Sequence, residues 1–406
     1  MINKDKIISF YYFYFIFVLS SGMFLYPLNQ LLLLSTVLYL IPLIRIFSKK
    51  VSLFIIYFLL ISLIILLFAY LEQASVLSKK ISVFASNHNA DSTADSVLLT
   101  SIKVSIKLFL LFIIFPINNK YYLPISKYIR IFIYLTFIQI FISTIIYNFI
   151  NIDIDTVRKF YPLLSDFRPK VEIYPFVFLD KIIVGIGSLM YERPIGIFGE
   201  ATTLGNFILG IYIINLCIVK KFDLMLFTCV IAILIISICK AALVTLFISS
   251  LIYAIAYIVK NKTLTILLSI IAGTLWWYVL LAIGTGYMTV RTASTYLILP
   301  FTDLTPKGFN AASWFMSYKY NLMANSGLVS MFYDLGIIFS IIFYLFLFVI
   351  LIKIIKINNY KNFSLYLFAY TYLIYSLLIN NIYYAGLFMV LTYIFYYSLQ
   401  KETSHK

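Results

Sequence analysis

Apolar runs of about twenty residues follow one another along most of this chain, and a helix needs about that length to cross the ~30 Å hydrocarbon core of a bilayer. No other feature constrains the fold so tightly. Twelve candidate spans can be laid out, at 7–26, 28–47, 51–71, 97–117, 129–150, 199–219, 222–238, 241–259, 263–283, 327–352, 363–381 and 383–400. Charged residues make up 11% of the 406 and hydrophobic ones 63%, whereas soluble domains carry about a quarter charged residues. Alternating strand patterns are lacking and glycine and proline number only 14 and 10, so a helical bundle is expected rather than a membrane barrel. The expectation is an all-α polytopic membrane protein forming a single integral membrane domain over 1–406.

Two runs need a decision. Lys4 and Lys6 precede the first, as in a signal peptide, but no A-x-A-like site follows it and eleven further runs do; it reads as a retained helix. Residues 222–259 as one helix would be about 57 Å long at 1.5 Å per residue. They are expected to form two helices, broken near "SICKAAL" around Lys240.

The net charge of +16 has its explanation in this layout. With a cytoplasmic N-terminus, the inner segments hold 17 basic residues against three acidic ones (Asp5, Asp223 and Glu402), and the outer segments hold 14 against 12. Lys and Arg collect in short cytoplasmic loops, so the basicity records topology, with both termini inside, and gives no reason to expect nucleic acid. The outer face receives the long connections, 72–96, 151–198 and 284–326. Long connections rich in aromatics, such as Tyr161, Tyr174 and Trp314, point to function on that face.

Cofactor chemistry finds little material. Cys217, Cys229 and Cys239 lie in or beside apolar runs, where a free thiol acts as a small hydrophobe. His88 and His405 stand apart from any ligand-like spacing. Nucleotide and hydrolase fingerprints are missing. The expectation is no metal and no cofactor.

Four stretches concentrate polar groups. In "YERPIGIFGEATTLG", Arg193, Gly196 and Glu200 would share one helical face, with glycines permitting close approach to a polar ligand. The alternative for Arg193 is a snorkelling anchor. Lys240 stands between two apolar runs, where a mid-membrane lysine costs about 2.5–3.5 kcal/mol; the layout puts it at the outer interface, facing a cavity or simply in a tight turn. Arg291 is the one arginine of the 284–326 loop, with Lys307 and Lys319 beyond it, and arginine's planar fork suits phosphate oxygens. Asn325 or Ser326 suits an N-cap for the helix at 327. Asp334 falls inside its apolar run, where a structural bond to neighbouring backbone is as good a reading as catalysis. Arg193, Lys240 and Arg291 together would suit a polyanion such as pyrophosphate.

The segments "RPIGIFGEATTLG", "SICKAALV", "VRTASTY", "PKGFNAASWF" and "ANSGLVSMFYDLGII" resemble, in order, the signature segments of bacterial O-antigen and capsular polysaccharide polymerases, which are related to the O-antigen ligases. The motif resemblance covers about 190–340. It implies a C-type glycosyltransferase fold of about twelve helices with two large periplasmic loops, 151–198 and 284–326, in the bacterial inner membrane. It implies transfer of a growing glycan from undecaprenyl pyrophosphate to the next lipid-linked repeat unit, with a chain-length regulator as a partner. Arg193 and Arg291 would hold pyrophosphate with Lys240 in support, and Glu200 would orient Arg193 or accept the acceptor's proton. Asn325 and Asp334 would line the substrate site. Ligases commonly carry His-Asn where this chain has Asn325-Ser326, and asparagine is no general base. A flippase for the same lipid-linked units is the rival class; it would keep more charges within its helices and shorter outer loops.

Overall fold

The computed structural model describes residues 56–71, 101–112, 125–149, 173–175, 190–192, 201–283, 296–315, 327–379 and 385–400, apart from a few positions inside these stretches. It is helical apart from one pair of short strands. The helices are α1 (Ile56–Phe68), α2 (within 101–112), α3 (Ile125–Phe149), α4 (Ala201–Val219), α5 (Leu224–Ile236), α6 (Lys240–Val259), α7 (Lys262–Ile283), α8 (Gly327–Asp334), α9 (Gly336–Ile355), α10 (Tyr360–Ile379) and α11 (Ala385–Gln400). The chain divides into two compact units, one of Met1–Leu38 with Tyr121–Leu246, the other of Tyr39–Lys120 with Phe247–Lys406.

In the first unit, α3 packs against α4 and α5. Ile125, Ile129, Phe132, Ile133 and Ile140 are buried, at the three- and four-residue spacing that lines one face of a helix. The other side of α3 is just as apolar: Leu135, Ile138 and Phe141 are half or more exposed. Apolar groups on both faces describe a helix with lipid as its second partner. Asp223 caps α5, its side chain accepting the Leu226 N–H at 3.1 Å, and it also pairs with Arg130 of α3 at 3.3 Å. The charge layout puts both residues on the inner side. α4 and α6 end on the left-handed lysines Lys220 and Lys260 (φ 54° and 50°), each donating its N–H four residues back, to Leu216 and Ala256.

The expected break at "SICKAAL" is present. α5 stops at Ile236, Ser237 caps it, and α6 begins at Lys240. Ser237 and Cys239 are buried, and the freed backbone is satisfied locally: Ser237 N–H and Oγ both donate to Ile233 O, and Cys239 N–H to Leu234 O at 2.9 Å. Within the first long connection, Ile173–Pro175 and Met190–Glu192 form an antiparallel pair in the register Ile173–Glu192 and Tyr174–Tyr191. These two strands are the departure from the all-helical expectation.

The second unit is held by aromatic stacking between helices. Phe58 of α1 stacks on Phe112 of α2 (5.6 Å), and Phe395 of α11 meets both Phe112 and Phe346 of α9. Tyr366 of α10 stacks on Tyr397 of α11 at 4.1 Å. Lys262 at the start of α7 donates to Ile355 O at the end of α9 (3.0 Å), the favoured place for a cation. Tyr375 of α10 donates to Ser269 O of α7 at 2.5 Å, where Gly273 leaves room for its ring.

Two expectations about spans are corrected. The run 327–352 is not one helix. Gly336 adopts φ +71° and ends α8 after eight residues. Tyr344 then donates to Leu328 O, and Ser340 to Met331 O at 2.8 Å. Along a continuous helix Leu328 and Tyr344 would be about 24 Å apart, so the chain folds back at Leu335 and α8 lies against α9. The count of twelve spans is not reached either. Among the described residues three helices are long and apolar enough to cross a membrane, Ile125–Ile142, Ala241–Val259 and Gly336–Ile355. Shorter apolar stretches among the described residues accompany them, such as the 13-residue α5, which ends where Ser237 caps it. The candidate spans 7–26 and 28–47 lie outside the described residues.

Candidate functional site

Four of the polar segments singled out in the sequence are described at least in part, and they meet in pairs, one pair in each unit.

In the first unit, the end of "GEATTLG" meets "SICKAAL". A Cβ on Gly205 would overlap the Cys239 sulfur, and would stand 2.8 Å from Cys239 Cβ and 3.3 Å from Ala242 Cβ. Only a residue without a side chain admits this approach of α4 to the α5–α6 break. Leu204, Asn206 and Phe207 beside it are buried. Further along α4, Asn215 accepts a hydrogen bond from Ser126 of α3 at 2.6 Å. Lys240 is the first residue of α6, so its backbone sits at the buried break; its side chain lies outside the described part. Arg193 and Glu200 also lie outside the described residues.

In the second unit, "PKGFNAA" meets "MFYDLG". Asp334 is completely buried. Its Oδ1 accepts the Ala312 N–H at 2.6 Å, and its backbone carbonyl accepts the N–H groups of Lys307 and Gly308 at 3.0 and 3.1 Å. In return Ile337 N–H donates to Asp303 O at 2.9 Å. Gly336 is forced by this contact as well as by its φ, because a Cβ there would stand 2.6 Å from Leu304 O and 2.7 Å from Thr305 C. Lys307 closes the clamp: its Nζ pairs with Asp303 at 2.8 Å, donates to Phe301 O at 3.1 Å and lies 4.5 Å from the centre of the Tyr333 ring. An apolar cluster of Ile298, Ala311, Ala312 and Tyr333, with Phe301 and Phe315 against it, fills the space beneath.

The described part of this connection, 296–315, is therefore built onto the α8–α9 turn. Asp334 and Lys307 hold it there, and the carboxylate has the backbone-bonding role that its position in an apolar run left open. Arg291 and Asn325 lie outside the described residues.

The span count passes over one group. Lys107 sits in α2 among the buried Leu108, Phe109 and Leu111, and is itself half-buried. Its sequence signal is the "SIKVSIKLFLLF" run, in which a charge inside a candidate span is tallied with the outer face instead of being read as a site. Ser101, six residues earlier on the same helix, is buried and donates to Phe309 O of the clamped loop at 3.2 Å.

Chemically, the second unit presents a rigid loop with its own ion pair, a half-buried lysine on a helix tied to that loop, and apolar helix faces suited to lipid. Comparison with protein-family models, with curated proteins and with solved structures finds no match to this chain.

Proposed function

We propose that this chain is a polysaccharide polymerase of a bacterial inner membrane, transferring a growing glycan from undecaprenyl pyrophosphate to the next lipid-linked repeat unit on the outer face. The observation that carries the reading is the pairing of the motif segments. Gly205 meets Cys239 and Ala242, and the Lys307-Gly308 backbone meets Asp334, although each pair is well separated in sequence. Short motifs that match a family by chance have no reason to pack on one another through glycine-only contacts.

In the proposed reaction the acceptor hydroxyl oxygen bonds to the donor's anomeric carbon as that carbon's bond to pyrophosphate breaks. Undecaprenyl pyrophosphate leaves with the bonding electrons, and the hydroxyl proton passes to Glu200 or to water. Arg193 and Arg291, supported by Lys240, stabilise the charge developing on the leaving pyrophosphate, the use to which preorganised cations are best put. Asp334 contributes by holding the loop that carries Arg291. The activated bond is already in the substrate, so no nucleotide or metal enters the scheme. Both termini are placed in the cytoplasm, and lipid-linked oligosaccharides and a chain-length regulator are the partners.

The test is the surface glycan after deletion of the gene, separated by size. Lipid A–core bearing one repeat unit and no ladder supports the polymerase. Core with no repeat at all assigns the chain to ligation or flipping, and an unchanged ladder removes it from this chemistry.

A further inference from the structure

We infer that Lys107 binds the phosphate of the lipid-linked donor from within the membrane, an inference that rests on the donor proposed above. Read as one of the spans expected from the sequence, the run 97–117 would carry Lys107, its eleventh residue, about 15 Å along a ~30 Å core. A lysine at that depth is costly, and it persists where it has a counter-charge or a wet cavity.

The described residues offer it no carboxylate. Three acidic side chains are described, and each is engaged elsewhere: Asp223 with Arg130, Asp303 with Lys307, and Asp334 with the Ala312 N–H. The nearby hydroxyls of α2 are also committed, Ser105 to Ser101 O at 2.8 Å and Ser101 to Phe309 O. Yet Lys107 is not sealed in, because it keeps part of its surface accessible. A cation in an apolar helix, partly open and without a described acidic partner, calls for an anion that arrives through the lipid.

Geometry then says where that anion lies. Lys107 is about 9 Å along α2 from Ser101, the residue bonded to the clamped loop. Helical side chains tilt toward the N-terminus, and a long lysine extends its ammonium further that way. The N-terminus of α2 is its loop end, through Ser101, so these tendencies favour an ammonium directed toward the segment held by Asp334. Lysine binds phosphate as a point charge, with no demand for the planar fit that an arginine imposes. A phosphate carried on a hydrocarbon chain meets both requirements, an anion at that level and a tail compatible with the lipid-facing helices.

The experiment uses the full-length chain in nanodiscs of phosphatidylcholine, with radiolabelled undecaprenyl pyrophosphate as the probe. Wild type is expected to bind, Lys107→Met to bind roughly 10- to 100-fold more weakly, as for loss of a charge-assisted contact, and Lys107→Arg to recover most of the loss. Removing a charge that has no acidic partner among the described residues should leave the melting temperature unchanged or higher. If Lys107→Met does not purify as a single species, Lys107→Gln against Lys107→Arg makes the same comparison. Equal binding by wild type and the neutral variants overturns the role of Lys107 and leaves the donor standing. No binding by wild type overturns the donor, and this inference with it. Displacement of the probe by phosphatidylglycerol at comparable concentration would assign the lysine to bulk lipid phosphate and also overturn it.

Discussion

At the scale of single residues, a carboxylate in an apolar run invites a catalytic reading, and Asp334 shows what decides the matter. Its Oδ1 is taken by a backbone N–H at 2.6 Å, its carbonyl by two more, and the side chain has no exposure. Hydrogen bonds to a charged group contribute roughly 1.5–3 kcal/mol, and this one fixes a long loop. Asp334→Ala is therefore expected to lower the melting temperature and open residues 301–315 to protease. Asp334→Asn keeps an acceptor oxygen and should stay close to wild type in stability and in chain extension. Loss of extension in an Asp334→Asn protein that melts like wild type would make the carboxylate catalytic instead. Lys307 belongs to the same lock. It was one of three basic residues noted in that loop, but its ammonium is committed to Asp303, Phe301 O and the Tyr333 face.

At the scale of elements, the close crossing of α4 with the α5–α6 break depends on one missing side chain. Gly205→Ala puts a methyl into the Cys239 sulfur, and overpacking of this kind costs about 1–3 kcal/mol. Cys239→Ala removes the obstacle. The double variant should recover a good part of the stability lost in Gly205→Ala, a coupling readable as a double-mutant cycle in thermal melts; strictly additive effects would mean the two helices do not meet there. Much at this scale was legible. The break at "SICKAAL" followed from the length of 222–259 against the bilayer, and the ends of α4, α6 and α10 lie within a few residues of expectation. The turn between α8 and α9 was not legible, because 327–352 stays apolar throughout and hydropathy cannot distinguish a helix that continues from one that folds back. Its signal is Gly336, whose left-handed φ and contact with Leu304 and Thr305 are properties of the packed loop. The same limit applies to the site: polar segments could be picked out singly, but which of them touch is set by tertiary packing.

At the scale of the whole molecule, the exposed apolar faces of α3, α6, α7 and α9 require lipid around the chain, since soluble proteins rarely expose patches of this extent. α9 alone, with 20 residues, is about 30 Å long and separates the clamped loop from the α9–α10 turn. Leu304 and Asn359 are both exposed and lie at its opposite ends, and the described cysteines are buried. A membrane-impermeant maleimide should label Leu304→Cys in intact spheroplasts and reach Asn359→Cys only after permeabilisation. Labelling of both from one side would mean α9 does not cross. In the proposed topology the Asn359 end is cytoplasmic, flanked by Lys353, Lys356 and Lys361.

The most direct test of the central claim is reconstitution. The full-length chain would be placed in liposomes with undecaprenyl-pyrophosphate-linked repeat units extracted from a strain lacking the gene, with no nucleotide and with chelator present. A polymerase is expected to lengthen the glycan one repeat at a time with equal release of undecaprenyl pyrophosphate, both lost in Arg193→Ala and Arg291→Ala at unchanged protein levels. Units that remain single in the presence of well-folded wild-type protein, or arginine variants that extend them normally, would contradict it.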